Sequence, residues 1–541
     1  MYDYIIVGAG SAGCVLANRL SANRKTQVLL LEAGRKDSSP FIHMPAGIAR
    51  LLATSDFNWA FQTEEESELE MRKLYWPRGK GLGGSSSING MIYMRGNSRD
   101  YDHWRQLGNN GWGYDDVLPY FRRSMNNERG EDAYHGINGE LNVLDEKANL
   151  PSHNYFIQAG MEAGYVYNKD FNGATQEGFG PFQLTKIGNR RCSAAQAFLS
   201  PILDRDNLTV VTEAKALSID FEGKKAVGVT YLKRGQKYRV KAVRETIISA
   251  GAVQTPQLLQ LSGIGNPEDL VLHDIRCLHP LKGVGKNLQD HLDIMVQYYC
   301  KDPELSVARY IKVTNMMRVL LQYMLLGNGP GAENGCIAGA FIKSRKNIEM
   351  PDLQLHFIPL ILSDHGRKRF TKPGLSIHVC QLRPESRGEI RLASGNPLDS
   401  PSIKANYLSV RSDLDTLVEG VKLARKIFQT DKFSSFLGDE FEASRDAHND
   451  EDIAEFVRKN AETIYHPVGT CKMGNDDLAV VDERLRVKGI ESLRIVDASV
   501  MPTLIGGNTN APTIMISEKA SDMIIHDNSS FDNSYRKSGS L

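Results

Sequence analysis

Residues 3–20 read DYIIVGAGSAGCVLANRL, and residues 27–32 follow as QVLLLE. The run 3–7 is apolar with β-branched members, which predicts a buried parallel strand. Directly after it, GAGSAG places glycines at 8, 10 and 13. Gly8 permits a tight turn, Gly10 lets the backbone approach a pyrophosphate, and Gly13 lets the next helix pack closely on the strand. That helix is predicted over Ala12–Leu20, with Ser11 at its mouth, and its free amides and positive end suit phosphate oxygens. A second strand, Gln27–Leu31, ends at Glu32 and Ala33. Glu32 stands nineteen positions beyond Gly13, close to the spacing of a carboxylate that binds ribose hydroxyls. The competing reading is an ordinary strand–helix turn with a surface glutamate. Strand, helix and terminal acid all agree against it. The acid disfavours NADP, whose 2′-phosphate it would repel, but does not separate FAD from NAD.

Further along, residues 76–96 read WPRGKGLGGSSSINGMIYMRG. Gly and Ser in such number beside Arg78 and Lys80 suggest a loop wrapped around an anion. A disordered linker is the alternative, and the apolar flanks Leu74–Trp76 and Met91–Met94 argue for a loop held in a core. Three more segments complete the pattern: GAVQTPQLLQLSGIG at 251–265, YHPVGTCKMG at 465–474 and IVDASVMPTLIGGNTNAPTIMI at 495–516. Taken in this order, the landmarks resemble the glucose–methanol–choline (GMC) oxidoreductase family over nearly the whole chain. The resemblance implies FAD, contacted by Gly8, Gly10, Ser11, Ala12, Gly13, Glu32 and Ala33. It adds Arg78, Gly83, Gly84, Ser85, Asn89, Gly90 and Met91 from the loop, and Asp497, Ala498, Asn508 and Thr509 near the C-terminus. Members that bond flavin covalently use a histidine in that loop. Ile88 stands there, which implies non-covalent FAD.

His466 precedes Pro467, which pushes its backbone toward an extended or turn conformation and suits a side chain projecting into a cleft. Imidazole is the side chain best placed for proton transfer near neutral pH. For a random histidine a core position bonded to backbone is the better reading, and the matched motif reverses that preference. Pro512 marks a helix start before the apolar periodic stretch Thr513–Met523, with Asn508 or Asn510 able to cap it. The resemblance makes Asn510 the partner of His466 at a substrate hydroxyl. It implies that His466 takes the hydroxyl proton while hydride passes to flavin N5, and that the helix start stabilises the reduced, anionic ring.

The implied architecture is an α/β composite: a Rossmann-like FAD-binding domain on a doubly wound parallel sheet, and a substrate domain of antiparallel sheet with helices. The FAD domain takes residues 1–295, with a cap segment at about 151–190, and 455–541; the substrate domain takes 296–454. Gln354–Ile358 and Leu375–Leu382 read as strands of the latter. Leu305–Gly329 reads as a lid, and Met316–Leu326 within it as lid more than membrane contact. The Ser/Asn-rich tail from Asn528 is expected to fray.

Substrate is read from CIAGAF at 336–341. Choline-oxidising members carry an acid just before the corresponding stretch, and Ile337 stands there, which disfavours choline. Phe357, Ile358, Leu360 and Ile361 add to an apolar pocket for an aliphatic or aromatic alcohol. Overall the sequence is most similar to the membrane-associated alcohol dehydrogenases of bacterial alkane oxidation, and next to choline dehydrogenase-like proteins. This implies a primary alcohol, an aldehyde product and a quinone-type acceptor. An oxygen-using oxidase and a choline dehydrogenase-like activity are the alternatives. A redox-silent lyase on this fold, an NAD-linked dehydrogenase and a non-catalytic flavin protein are weaker rivals.

Composition sets the remaining bounds. The 541 residues suit two domains or one large composite. Lys+Arg and Asp+Glu are both 65, so no global field favours nucleic acid or an anionic membrane. Seven scattered cysteines with no Cys-x-x-Cys point away from a disulfide framework or zinc site and toward a reducing compartment. The first strand begins near residue 3, leaving no room for a signal peptide. The expected location is therefore cytoplasmic, with peripheral contact to the inner membrane face implied by the resemblance.

Overall fold

The computed structural model describes residues 1–147 and 150–538. Tyr2–Val7 is the centre of the first sheet. It pairs in parallel with Val28–Leu31 on one side, Val7 opposite Leu31, and with the end of Gln236–Ile248 on the other, Val7 opposite Ile248. Leu208–Val211 and Leu493–Ile495 extend the parallel array outward. Helices cover both faces of such a sheet, so its strands read as unbroken apolar runs. Val28–Leu31 are each at most 1% exposed. The long strand Gln236–Ile248 changes partner midway. Its first part pairs antiparallel with Lys225–Lys233 and is largely exposed, and its last four residues, Glu245–Ile248, are buried in the parallel array.

The helix Ser11–Leu20 begins one residue earlier than the sequence predicts. A Cβ on Gly13 would lie 1.8 Å from the Gly8 carbonyl oxygen, and Gly8 itself has φ +101°. Both glycines are therefore steric requirements of the turn.

The second sheet runs 437–440, 292–300, 374–381, 353–358, 338–342, 178–181, with 462–463 also pairing the second of these. Its pairings are antiparallel. The side-chain period of two divides it cleanly. Leu353, Leu355 and Phe357, with Leu375, Ile377 and Val379, pack in one core with Leu417 and Val421 of the helix Arg411–Phe428 and Phe156 of the helix Pro151–Glu162. The opposite parity, Asp293, His356, Ile358 and His378, faces the cavity described below.

Three expectations change. The boundary at 295/296 falls inside the strand Leu292–Cys300, whose whole length belongs to the second sheet. Gly178–Pro181 and Glu462–Thr463, assigned by sequence to the cap and the FAD domain, join that sheet too. The tail expected to fray from Asn528 continues the helix Asn510–Ser538, with residues 539–541 outside the described residues. The lid region holds the helix Val313–Leu326 at the cavity rim, with much of its apolar surface exposed.

Candidate active site

One cavity of about 950 Å³ runs between the two sheets. Three helix N-termini open onto it, at Ser11–Ala12, Gly251–Ala252 and Asn510–Thr513. Their positive dipole ends make this end an anion site, although the Gly251 amide is already taken by Asp497. The glycine turn and the glycine loop meet here: a Cβ on Gly84 would lie 2.7 Å from the Gly10 Cα. A Cβ on Gly10 would meet nothing nearer than 4.0 Å and one on Gly90 nothing within 4 Å, so both glycines open a cradle. A dinucleotide fits this donor set.

Of the sequence-named cofactor residues, Gly8, Gly10, Ser11, Ala12, Glu32, Ala33, Arg78, Gly84, Ser85, Asn89, Gly90, Met91, Asp497, Ala498, Asn508 and Thr509 line the cavity. Gly13 and Gly83 stand behind the wall: Gly13 packs against Gly8, and the Gly83 amide donates to the Ala9 carbonyl at 2.8 Å. Glu32 accepts from the amides of Ala9 (2.9 Å) and Gly34 (2.7 Å), and burial pushes its carboxyl up. Two of the Arg78 donors are engaged within the protein. Arg78 donates to the Tyr465 carbonyl at 2.6 Å and to Ser85 Oγ at 2.9 Å, and burial lowers it to about 10. It therefore ties the glycine loop to the turn that carries His466. Buried Arg191, missed in the sequence, donates to Asn89 Oδ1 at 2.8 Å and to the Ile42 carbonyl at 2.8 Å, fixing the loop from behind. Asp497 accepts from the Gly251 amide and Thr255 Oγ1 at 2.9 and 2.6 Å, joining a helix start to the C-terminal segment.

His466 sits on an over-determined turn. Tyr465 has φ +71°, unusual for a bulky residue and sustained only by dense support. The Tyr465 amide donates to Thr463 Oγ1 at 2.8 Å, its hydroxyl meets His365 Nδ1 at 2.7 Å, and the His466 amide donates to Asp290 Oδ1 at 2.7 Å. Asp290 also accepts from Thr463 Oγ1 and the Tyr407 hydroxyl, and burial raises its carboxyl to about 6. The His466 side chain is buried, and desolvation, the neighbouring His291 and His356, and Arg78 hold its pKa well below the ordinary histidine value.

The partner of His466 differs from the sequence expectation. Asn508 Nδ2 lies 3.2 Å from His466 Nε2, and Gln354 Nε2 donates to Asn508 Oδ1 at 3.1 Å. Asn510 instead accepts from Ser11 Oγ at 2.6 Å and ties two helix starts together. Asn508 stands in the segment just before the helix, and Asn510 is its first residue. The helix therefore begins at Asn510 with that side chain committed to Ser11, not to capping.

The pocket residues Ile337 and Phe357 are corrected as well. Phe357 lies on the helix side of its strand and stacks on Phe156 at 5.0 Å. Ile337 packs with Phe171, Phe182 and Phe341. Neither lines the cavity; Cys336, His356 and Ile358 do. The substrate wall is accordingly mixed. Met295 and Ile358 are apolar, but Asp293 pairs with His378 Nδ1 at 2.6 Å, and Glu462, also on the wall, is raised to about 7 by burial. Both ring nitrogens of His356, Asp293 Oδ1 and His378 Nε2 have no hydrogen-bond partner among the described residues. These polar groups lay hidden in apolar strands, where only the alternation of a single His or Asp marks the inward face.

A parallel strand–glycine turn–helix unit, a second glycine loop and a buried histidine facing one cavity define a dinucleotide-dependent oxidoreductase. The chain matches the GMC oxidoreductase sequence profiles over residues 2–293 and 384–517, and it belongs to that family. It is 47% identical over 528 residues to an alcohol dehydrogenase [acceptor] of Pseudomonas putida, covering 97% of this chain and 96% of that one. It is 44% identical to mouse mitochondrial choline dehydrogenase, covering 97% and 89%. Among solved structures it resembles pyridoxine 4-oxidase of Mesorbium loti, with a TM-score of 0.89 at 29% identity, covering 97% of this chain and 99% of that one. The cofactor is FAD, and the substrates are of the alcohol type.

Proposed function

We propose that this protein oxidises a primary alcohol to its aldehyde, with His466 as the base and Asn508 as its partner at the substrate oxygen. The observation that carries this reading is the buried, neutral His466, its Nε2 beside Asn508 on the cavity wall. As the hydroxyl proton moves to Nε2, the O–H electron pair stays on oxygen and Asn508 stabilises the growing charge. Bound FAD, held non-covalently beside Ile88, supplies the two-electron acceptor for the carbinol hydride. His356, whose ring nitrogens have no hydrogen-bond partner among the described residues, offers the substrate a further polar contact.

We infer a neutral alcohol. Asp293 is matched by His378, whose pKa the carboxylate raises against the effect of burial, so the pair carries little net charge toward the substrate. Met295, Ile358 and the rim residues Met316, Val319 and Leu320 supply apolar surface. Each added methylene is worth at most ~0.8 kcal/mol, so kcat/KM should climb by up to about fourfold per carbon along a short series of n-alcohols. A choline-type cation is the second reading, favoured by the unpartnered Asp293 Oδ1. Turnover of choline above butanol would select it and overturn the first.

For the acceptor we propose a quinone at a bilayer surface. No described helix is long and apolar enough to cross a membrane. The helix Val313–Leu326 nevertheless exposes Met317, Leu321, Met324 and Leu325 by 54, 54, 55 and 78%, on one face at i, i+4, i+7 and i+8. Exposed Lys312 and Arg318 flank it. An amphipathic, basic-edged helix of this kind suits the interface of an anionic bilayer. Wild-type protein should float with anionic vesicles, and the Leu321→Glu/Leu325→Glu variant should lose flotation while keeping its reduction rate with short alcohols. Equal flotation of both would contradict this docking face. Oxygen turnover as fast as quinone turnover would make the protein an oxidase.

A further inference from the structure

We propose that His291 is the positioning residue that fixes the tautomer of His466 and so makes Nε2 the basic nitrogen. This rests on the reading of His466 as the base. His291 Nε2 lies 3.1 Å from the Leu382 carbonyl oxygen, which can only accept. His291 is fully buried, and burial lowers its pKa to about 3, so its ring is neutral. Its single proton therefore sits on Nε2, and Nδ1 carries a lone pair. His291 Nδ1 lies 3.0 Å from His466 Nδ1. Two lone pairs would repel there, so His466 Nδ1 holds the proton and donates it.

His466 Nε2 then carries the lone pair, as a base requires, and here that lone pair accepts from the Asn508 amide at 3.2 Å. The opposite tautomer would set two lone pairs face to face at one end and two N–H donors at the other. The contact belongs to a continuous clamp. Asn287 Nδ2 donates to the Gly469 carbonyl (3.1 Å), Gln289 Oε1 accepts from the Leu504 amide (3.1 Å), and Asp290 holds the His466 amide. Residues 287–291 thus grip both C-terminal motifs, and His291 is the member that reaches the imidazole. When His466 takes a substrate proton on Nε2, the Nδ1 proton stays in place, and the neutral His291 lone pair stabilises the imidazolium.

His291→Leu removes the acceptor, whereas His291→Asn can place an amide oxygen near the Nδ1 position. The first readout is independent of turnover: two-bond ¹⁵N–¹H correlation of ¹⁵N-histidine-labelled holoprotein, with His466 assigned by substitution. Wild type and His291→Asn should show His466 protonated at Nδ1, and His291→Leu a mixed or Nε2-protonated ring. The second is anaerobic flavin reduction. His291→Leu should lose ~10–100-fold in limiting rate at every pH, with the apparent alcohol Kd changed by no more than about threefold, and His291→Asn should recover most of it. A His291→Leu protein that keeps the Nδ1-protonated ring, or that reduces at the wild-type rate, overturns the proposal. Should the leucine variant fail to fold, an asparagine variant that folds but lacks the Nδ1-protonated signature overturns it equally. Failure of the base assignment reads differently: His466→Ala would then keep its rate while the wild-type tautomer remained Nδ1-protonated.

Discussion

His466→Ala is expected to lower the rate of flavin reduction by an alcohol ~10²–10⁴-fold, the range of a positioned general base, with FAD content unchanged. Unchanged FAD is expected because the His466 ring contacts His291 and Asn508, while the glycine turn and loop hold the dinucleotide end. Asn508→Ala should cost about 10²-fold, the scale of one lost donor at a charged transition state. Asn510→Ala should leave this rate nearly intact and instead weaken the junction of the two helix starts, since its oxygen serves Ser11. Losses at His466 and Asn508 should not add, because both act on one oxygen. The pH profile follows from the depressed His466 pKa. A base whose pKa is lowered stays neutral as pH falls, so the rate should hold below pH ~6.5, where an ordinary histidine is already losing activity. Stopped-flow reduction across pH and across the three single variants checks each of these. A limb that bends near ~6.5 would mean that His466 is less desolvated than its surroundings indicate.

The second large effect belongs to the glycine turn. Gly13→Ala should destroy the flavoprotein, because the added methyl would lie 1.8 Å from the Gly8 carbonyl oxygen, and no flexible side chain can yield there. Overpacking against backbone in a closely packed turn costs about 3 kcal/mol or more. The expected product is insoluble or colourless protein. Gly10→Ala separates folding from binding. Its methyl clears the protein by 4.0 Å but projects into the cradle, so the variant should fold with near wild-type thermal stability and bind FAD poorly. The ratio of flavin to protein absorbance, read beside the thermal midpoint of the apoprotein, distinguishes the two. A yellow, stable Gly13→Ala protein would show that the turn relaxes.

Much of this site was legible because its chemistry is bound to backbone shape. A strand, three spaced glycines and an acid at the next strand's end leave few alternatives. The helix Ser11–Leu20 and the strand Val28–Leu31 fall within a residue of their predicted bounds. What stayed hidden depends on direction. Asn508 and Asn510 are equivalent in composition and stand two positions apart, so only the helix entry decides which faces His466. Phe357 lies in a strand buried on both faces, and Ile337 stands just before another, so hydrophobicity gives no parity; the lone polar residues His356 and His378 held that signal. Residues 287–291 read NLQDH, four polar side chains among five at the mouth of an apolar strand. That density was the available sign of the clamp on His466.

Single-turnover oxidation without oxygen tests the central claim most directly. The yellow holoprotein, mixed anaerobically with excess primary alcohol, should bleach at the flavin absorbance maximum and yield one aldehyde per flavin. Deuterium at the carbinol carbon should slow the bleaching. Flavin that stays oxidised in the presence of primary alcohols, or that bleaches without an equivalent of aldehyde, would contradict the account.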